Sequence, residues 1–168
     1  MQHLYFVRHG LSVMNKKGIF SGRTETPLSE EGHHQAAAAG VDLRGANIDC
    51  VVVSPMQRAM QTAEIIADQI GYPKEKFVIS ELFAERDFGP LEGTPYTEGL
   101  GDADGVEPID ELITRAREGY DLLQSLPFEN ILVVSHGSIG RALRHCADSE
   151  IPFRPSKGFG NAEVVKLF

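Results

Sequence analysis

Three short apolar stretches of the chain run into residues that could bind or attack an anion. One is followed directly by Arg8 and His9, another leads through a single serine to His136, and the third precedes Arg58. Stretches of this length and composition predict strands buried on both faces of a sheet. Ligands of open α/β sheets bind at the carboxyl ends of the strands. Two histidines and two arginines are therefore expected to converge there on an anion, above all a phosphoryl group.

The chemistry of phosphate monoesters explains why these residue types belong together. The negative charge of the ester repels nucleophiles, so a site must neutralise that charge, present a nucleophile and protonate the leaving oxygen. Guanidinium groups match phosphate oxygens. A neutral imidazole, which neighbouring arginine charges favour, can attack phosphorus while a second imidazole donates a hydrogen bond. Gly10 and Gly137, which follow the two histidines, are expected to leave room for the anion.

The elements that must position these residues alternate along the chain. Strands are predicted at residues 3–7, 49–53, 77–79, 131–134 and 162–167. Helices are predicted at residues 30–40, 55–70, 108–126 and 138–147, the first capped by Ser29 and ending near Gly40, the second capped by Ser54. Alternating strands and helices predict an α/β sandwich. The many Gly, Pro and acidic residues at 87–106 predict an irregular segment.

Composition excludes several classes of function. A chain of 168 residues predicts one domain over residues 1–168, and its net charge of −8 argues against nucleic acid or an anionic membrane as partner. Cys50 and Cys146 lack metal-ligand spacing and are expected to be buried, reduced thiols of a cytoplasmic protein. No stretch has the features of a signal peptide or the length of a membrane span.

Five ordered motifs resemble those of the histidine phosphatases, the phosphoglycerate mutase-like superfamily. They are residues 8–15 (RHGLSVMN), 20–36, 54–63, 85–93 (ERDFGPLEG) and 134–143. Together they extend over nearly the whole chain. Their order makes the resemblance specific, although the residues after Gly10 are Leu-Ser where the family often has Glu-Thr.

The resemblance implies a fold and a set of catalytic residues. The fold is a three-layer α/β/α sandwich with a mostly parallel central sheet. His9 would form a phosphohistidine intermediate, and Arg8, Arg58 and His136 would hold the phosphoryl oxygens. Glu85 would protonate the leaving group and then activate water. Neighbouring acids make Glu85 impossible to select from the sequence without this resemblance.

The resemblance also implies which residues bind the substrate. Asn15 would add a hydrogen bond to the phosphoryl group, Ser21 and Gly22 would lie along the substrate, and Gly137 would border the anion. Neither a metal nor another cofactor is expected, because arginines neutralise the charge.

Hydrolases and mutases of this family share the intermediate and differ in what accepts the phosphoryl group. The chain has no Lys or Arg between Arg86 and Arg115, where acids are frequent. This acidity favours a hydrolase of a small phosphomonoester with a neutral or cationic second half. The alternatives are a phosphoglycerate mutase, a phosphohistidine protein phosphatase and a sensor without catalysis. The sequence leaves open the substrate, the oligomeric state and whether residues 94–106 cover the site.

Overall fold

A five-stranded sheet, ordered β3-β2-β4-β1-β5, forms the centre of the fold. The computed structural model describes residues 1, 3–97, 103–154 and 157–168. The strands are β1 (His3–Arg8), β2 (Cys50–Val53), β3 (Val78–Ile79), β4 (Asn130–Ser135) and β5 (Val164–Lys166). The first four strands are parallel, and β5 joins the edge antiparallel to β1.

Helices cover both faces of this sheet. They are α1 (Val13–Lys16), α2 (Glu30–Asp42), α3 (Gln57–Ile70), α4 (Ile109–Ser125) and α5 (Gly137–Ala147), with 3-10 turns at Lys74–Lys76, Glu81–Phe83 and Gly89–Leu91. Two adjacent residues of β1 point to opposite faces of the sheet. Val7 packs in a cluster with α2 and α3, whereas Phe6 packs in a cluster with α4 and α5. The predicted three-layer α/β/α sandwich with a mostly parallel sheet is confirmed.

The parallel register of β1 and β4 brings two functional segments to one edge. Arg8 is aligned with Ser135, and the backbone N–H of His9 donates to the Ser135 carbonyl at 2.9 Å. His136 therefore leaves β4 beside the point where His9 leaves β1. On the other side of β4, the N–H of Ser54 donates to the Val134 carbonyl at 3.1 Å.

Two predicted helix boundaries are wrong. Gly40 does not end α2, which continues to Asp42; a Cβ at Gly40 would lie 2.6 Å from the Cβ of Gln69, so this glycine permits close packing against α3. Ser54 does not cap α3, which begins at Gln57 after Met56. The predicted end of α3 at Gly71 is confirmed, because Gly71 adopts the left-handed conformation.

Part of the segment 94–106 pairs with an early loop. The N–H of Phe20 donates to the Thr94 carbonyl, and the N–H of Tyr96 donates to the Gly18 carbonyl at 2.7 Å. Residues 94–97 are thus fixed beside the site, and residues 98–102 lie outside the described residues. Within the described ranges, no helix combines the length and apolar character needed to cross a membrane.

Candidate active site

A pocket of about 280 Å³ opens at the carboxyl edge of the sheet. Its walls come from the end of β1, the loops after β1, the start of α3, the segment after β3, the start of α5 and the segment before β5. The predicted site residues in these walls are Arg8, His9, Asn15, Ser21, Gly22, Arg58, Glu85 and Gly137. The structure therefore places eight of the nine predicted site residues in the pocket wall. The ninth, His136, lies next to His9, with 5.1 Å between the ring centroids.

His9 is buried and held by both ring nitrogens. Its Nδ1 lies 2.7 Å from the carbonyl oxygen of Gly10, and its Nε2 lies 3.2 Å from Nε of Arg58. A carbonyl only accepts and a guanidinium only donates, so the proton is on Nδ1 and the lone pair on Nε2. Burial, reinforced by the charges of Arg58 and Arg8, holds the pKa of His9 well below its ordinary value near 6.5. The ring is neutral and presents Nε2.

Two guanidinium groups flank His9. The Arg58 side chain is 1% exposed and donates to the carbonyl oxygens of Gly22 at 2.6 Å and Thr24 at 3.2 Å. Arg8 donates through Nη1 to the Phe159 carbonyl at 2.9 Å, and its buried Nε has no hydrogen-bond partner in the described part of the chain. Backbone carbonyls thus orient both cations without neutralising them, which leaves their charge for an anion in the pocket.

His136 is fully buried and is not itself a wall residue. Its Nε2 lies 2.7 Å from the Ser54 hydroxyl, and no described residue forms a hydrogen bond with its Nδ1. The N–H of Met56 contacts the same hydroxyl oxygen at 3.4 Å, so that oxygen already acts as an acceptor. A Ser54 O–H that donates to Nε2 leaves the ring proton on Nδ1. Burial first, and then nearby cations, holds the pKa of His136 well below 6.5.

Glu85 lies in the pocket wall at the start of α5. Its Oε1 accepts hydrogen bonds from the backbone N–H groups of Arg86 at 2.9 Å, Ser138 at 3.1 Å and Ile139 at 3.2 Å. Within the described part of the chain, its Oε2 has one hydrogen bond, from the N–H of Ser138 at 3.2 Å. The N-terminus of a helix thus fixes one carboxyl oxygen and leaves the other with spare capacity.

Asn15 and Ser21 present unpartnered polar atoms. The Asn15 Oδ1 and Ser21 Oγ atoms are buried and have no hydrogen-bond partner among the described residues. Gly22 has a φ of 49°, and a Cβ there would lie 2.1 Å from the Glu92 carboxylate, so this turn requires glycine. Buried polar groups normally have partners, so unpartnered ones in a pocket indicate where a polar ligand binds.

Gly10 has a different role from the predicted one. A Cβ at this position would lie 2.4 Å from the carbonyl oxygen of Gly32 in α2, so Gly10 permits backbone packing and does not make room for the anion. Its N–H donates to Thr62 Oγ1 at 3.1 Å. Gly137 does border the pocket, where a Cβ would contact the Arg8 side chain at 3.6 Å.

Two of the described acids between Arg86 and Arg115 make contacts within the protein. Glu107 forms an ion pair with Arg115 at 2.9 Å, and Glu92 accepts hydrogen bonds from the N–H of Arg23 and the hydroxyl of Thr24. Among the described residues, the one acid in the pocket wall is Glu85, whereas Glu98 and Asp102 lie outside the described residues. The described acids of this segment therefore give no local reason to expect a cationic half of the substrate.

Eight described wall residues and one supporting residue were not predicted from the sequence. The wall residues include Phe20, Phe88, Tyr96 and Arg141, and the supporting residue is Ser54. The aromatic residues lie in loops, where an apolar residue has no periodic pattern. Arg141 follows Gly137 by one helical turn, a spacing that could have placed it on the same face.

Comparisons with known proteins identify the family. A family model described as histidine phosphatase superfamily (branch 1) matches residues 4–167. The chain is 33% identical over 149 residues to the uncharacterized phosphatase PhoE of Bacillus subtilis (strain 168), with 85% of this chain and 76% of that protein covered. It is 30% identical over 163 residues to a 2,3-bisphosphoglycerate-dependent phosphoglycerate mutase of Cytophaga hutchinsonii, with 85% and 76% covered.

A solved structure shares the fold. The mycobacterial glucosyl-3-phosphoglycerate phosphatase in complex with VO3 superimposes with a TM-score of 0.85 at 24% identity, and the match covers 99% of this chain and 92% of that one. The resemblance drawn from the motifs is confirmed, and so is the prediction of a histidine phosphatase. The chain belongs to the histidine phosphatase superfamily, branch 1.

Proposed function

We propose that the chain hydrolyses the phosphomonoester of a small metabolite in two steps, with His9 as the nucleophile. The observation that carries this proposal is the fixed state of His9: the ring is buried and neutral, with its proton tied to the Gly10 carbonyl, its Nε2 lone pair facing Nε of Arg58, and the charge of Arg8 nearby. A nucleophile in this state needs no deprotonation before it attacks.

In the first step, His9 Nε2 forms a bond to phosphorus and the bond to the leaving oxygen breaks. A phosphoryl oxygen takes over the Arg58 N–H that otherwise donates to Nε2, which frees the lone pair. Arg8, Arg58 and His136 Nδ1–H hold the oxygens while negative charge shifts onto them. The unpartnered Nε of Arg8 and Nδ1 of His136 support this assignment.

Glu85 supplies the proton for the leaving oxygen and receives one in the second step. Its Oε2, which has one long hydrogen bond, is the oxygen that carries the transferred proton. In the second step water attacks phosphorus, gives its proton to Glu85, and the N–P bond breaks to release inorganic phosphate. Each cycle therefore restores the starting protonation state.

The remaining predicted residues bind the substrate in this proposal. Asn15 donates to a phosphoryl oxygen through its amide Nδ2, and Ser21 Oγ can donate to the ester as well. Asn15 Oδ1, which only accepts, needs a donor group of the leaving half of the substrate. The Gly22 carbonyl orients Arg58, and Gly137 leaves access beside Arg8.

Hydrolysis of p-nitrophenyl phosphate and of a library of metabolite phosphomonoesters tests the proposal. Release of inorganic phosphate is expected for wild type and loss of that release for His9→Ala, with circular dichroism unchanged. EDTA should leave the rate unchanged, because the arginine charges neutralise the phosphoryl group, a task for which other enzymes use a metal ion. Turnover by folded His9→Ala, or a loss in EDTA that magnesium restores, would contradict the proposal.

A mutase is the second candidate, since relatives include phosphoglycerate mutases. The outer pocket opposes it: there the described wall carries the rings of Phe20, Phe88 and Tyr96, with Arg141 as the cation. A second phosphoryl group would lose solvation against those rings. Rapid interconversion of phosphoglycerates with little phosphate release would make the mutase the correct assignment.

The proposal extends to location and partners. Cys50 and Cys146 are both free and buried, which supports a reducing, cytoplasmic location. The partner is the small substrate, and neither nucleic acid nor membrane is expected to bind. Cell fractionation tests the location, and recovery from an extracytoplasmic fraction would contradict it.

A further inference from the structure

The outer part of the pocket is lined by three aromatic side chains, of which Phe20 contacts the other two. The ring of Phe20 lies 5.1 Å from that of Phe88 and 4.9 Å from that of Tyr96, measured between centroids. All three belong to the pocket wall. They lie in loops outside the sheet, so they form an aromatic wall that is separate from the clusters packed on the sheet.

Of the three aromatic residues, Tyr96 is a poor candidate for a purely structural role, because most of its surface is exposed. It is 64% exposed, whereas Phe20 is 5% exposed and belongs to the protein interior. Backbone pairing with the Gly18–Phe20 loop, and not burial, fixes Tyr96 at this place. An apolar ring held in solvent at the mouth of an anion pocket presents a flat surface to a ligand.

Arg141 contributes the cation of the outer pocket. Its guanidinium lies 5.3 Å from the ring centroid of Phe153, and its buried Nε has no hydrogen-bond partner among residues 3–97, 103–154 and 157–168. The phenol of Tyr96 is near enough to interact electrostatically with this guanidinium. Guanidinium groups stack on aromatic rings, so Arg141 and the aromatic wall favour the same kind of ligand.

We infer that the substrate is a phosphomonoester whose leaving group contains a planar aromatic or heteroaromatic ring, which stacks on Tyr96. The inference rests on the proposed function and specifies its substrate class. Stacking on one aromatic wall favours a flat ring over a saturated ring of similar volume. Among the described wall residues Glu85 is the one acid, so a cationic ring gains no carboxylate partner beyond the one assigned to proton transfer.

The test uses two phosphonates that cannot be hydrolysed and that differ in ring planarity, benzylphosphonate and cyclohexylmethylphosphonate. Titration calorimetry should show that wild type binds the benzyl compound about 3–10-fold more tightly, the range that an aromatic pair contributes beyond buried area. Tyr96→Ala should remove most of this preference and Tyr96→Phe should retain it. Phe168→Ala, which removes another exposed aromatic residue, is the matched control and should leave it unchanged.

Two outcomes overturn the inference: equal affinity of wild type for the two phosphonates, and a benzyl preference that survives Tyr96→Ala. Hydrolysis of p-nitrophenyl phosphate, measured on the same preparations, separates this inference from the proposed function. Turnover together with equal phosphonate affinities removes the aromatic substrate class alone. Absence of turnover together with a Tyr96-dependent benzyl preference removes the hydrolase and leaves the aromatic binding site.

Discussion

His136 and Ser54 share a 2.7 Å hydrogen bond in the interior of the protein, although 82 positions separate them in the chain. The bond joins the residue after β4 to the residue after β2, so two neighbouring strands fix one imidazole. Because Ser54 contacts Nε2, the ring nitrogen left for a phosphoryl oxygen is Nδ1. In the proposed mechanism, the imidazole that holds the phosphoryl oxygens therefore depends on a serine whose sequence context resembles a helix cap.

We expect Ser54→Ala to lower kcat without changing the fold. Loss of the hydroxyl lets the His136 proton move to Nε2, and Nδ1 then no longer donates. A decrease of about tenfold is expected, less than the ~10²–10³-fold typical of deleting such a donor outright. Nitrogen NMR of the ring should report the change of tautomer directly.

Ser135→Ala is the matched control for this prediction. The Ser135 hydroxyl is also buried and donates to the Phe83 carbonyl at 2.6 Å, with no contact to either histidine. This variant should lose about 1 kcal/mol of stability and keep the wild-type tautomer of His136. Equal effects of both variants on tautomer and kcat would show that Ser54 has no special role.

Glu85→Gln should slow turnover by about 10²–10⁴-fold for alkyl phosphates, the usual contribution of a general acid. Aryl phosphates leave as less basic oxygens and need less proton transfer, so their loss should be smaller. Steady-state kcat across a series of leaving groups measures this difference. Glu118→Gln, on the exposed surface of α4, should behave as wild type. A uniform loss for all leaving groups would argue against proton donation by Glu85.

The buried histidines predict how stability depends on pH. His9 and His136 have pKa values well below 6.5 in the folded protein, whereas both titrate near 6.5 when unfolded. The unfolded chain therefore binds more protons below pH 6.5, so the free energy of unfolding falls as pH decreases. The two residues together give a slope approaching about 2.7 kcal/mol per pH unit at most.

Urea denaturation between pH 7.5 and 5 measures this slope, and His136→Gln provides the comparison. Removing one of the two titrating groups should reduce the slope by up to about half. An unchanged slope in the variant would mean that His136 is not held neutral in the folded protein.

Gly10→Ala should destabilise the protein by about 2–3 kcal/mol, because the new Cβ would overlap the Gly32 carbonyl and backbone cannot move aside cheaply. Thermal unfolding should show a decrease of about 5–10 °C in Tm. Gly160→Ala, where a Cβ meets an ordinary contact at 3.4 Å, should change Tm little. Equal Tm values for the two variants would contradict the packing role of Gly10.

The sequence predicted those parts of the site that follow from strand order. His9 and His136 directly follow buried strands, and the parallel sheet necessarily brings such positions to one edge. Glu85 does not directly follow β1 or β4, the strands that carry the two histidines, and only the family resemblance identified it. Its partners, the N–H groups of Ser138 and Ile139, become visible only when α5 is in place.

Features that depend on contacts between distant segments could not be predicted. A serine before proline resembles a helix cap, so the contact of Ser54 with His136 was missed. Gly40 resembles a helix end because glycine often follows the last residue of a helix. Its real role, close packing against α3, leaves no signal in the neighbouring residues. The pairing of Tyr96 with the Gly18–Phe20 loop is likewise a tertiary contact, and the aromatic wall depends on it.

The most direct test of the account is capture of phosphorus on His9 during turnover. The protein is mixed rapidly with phosphorus-labelled p-nitrophenyl phosphate, quenched in alkali, digested and sequenced by mass spectrometry. We predict an acid-labile, base-stable phosphoramidate on His9 that forms and decays at rates consistent with kcat. Turnover with no label on His9, or with label on another residue, would contradict the account.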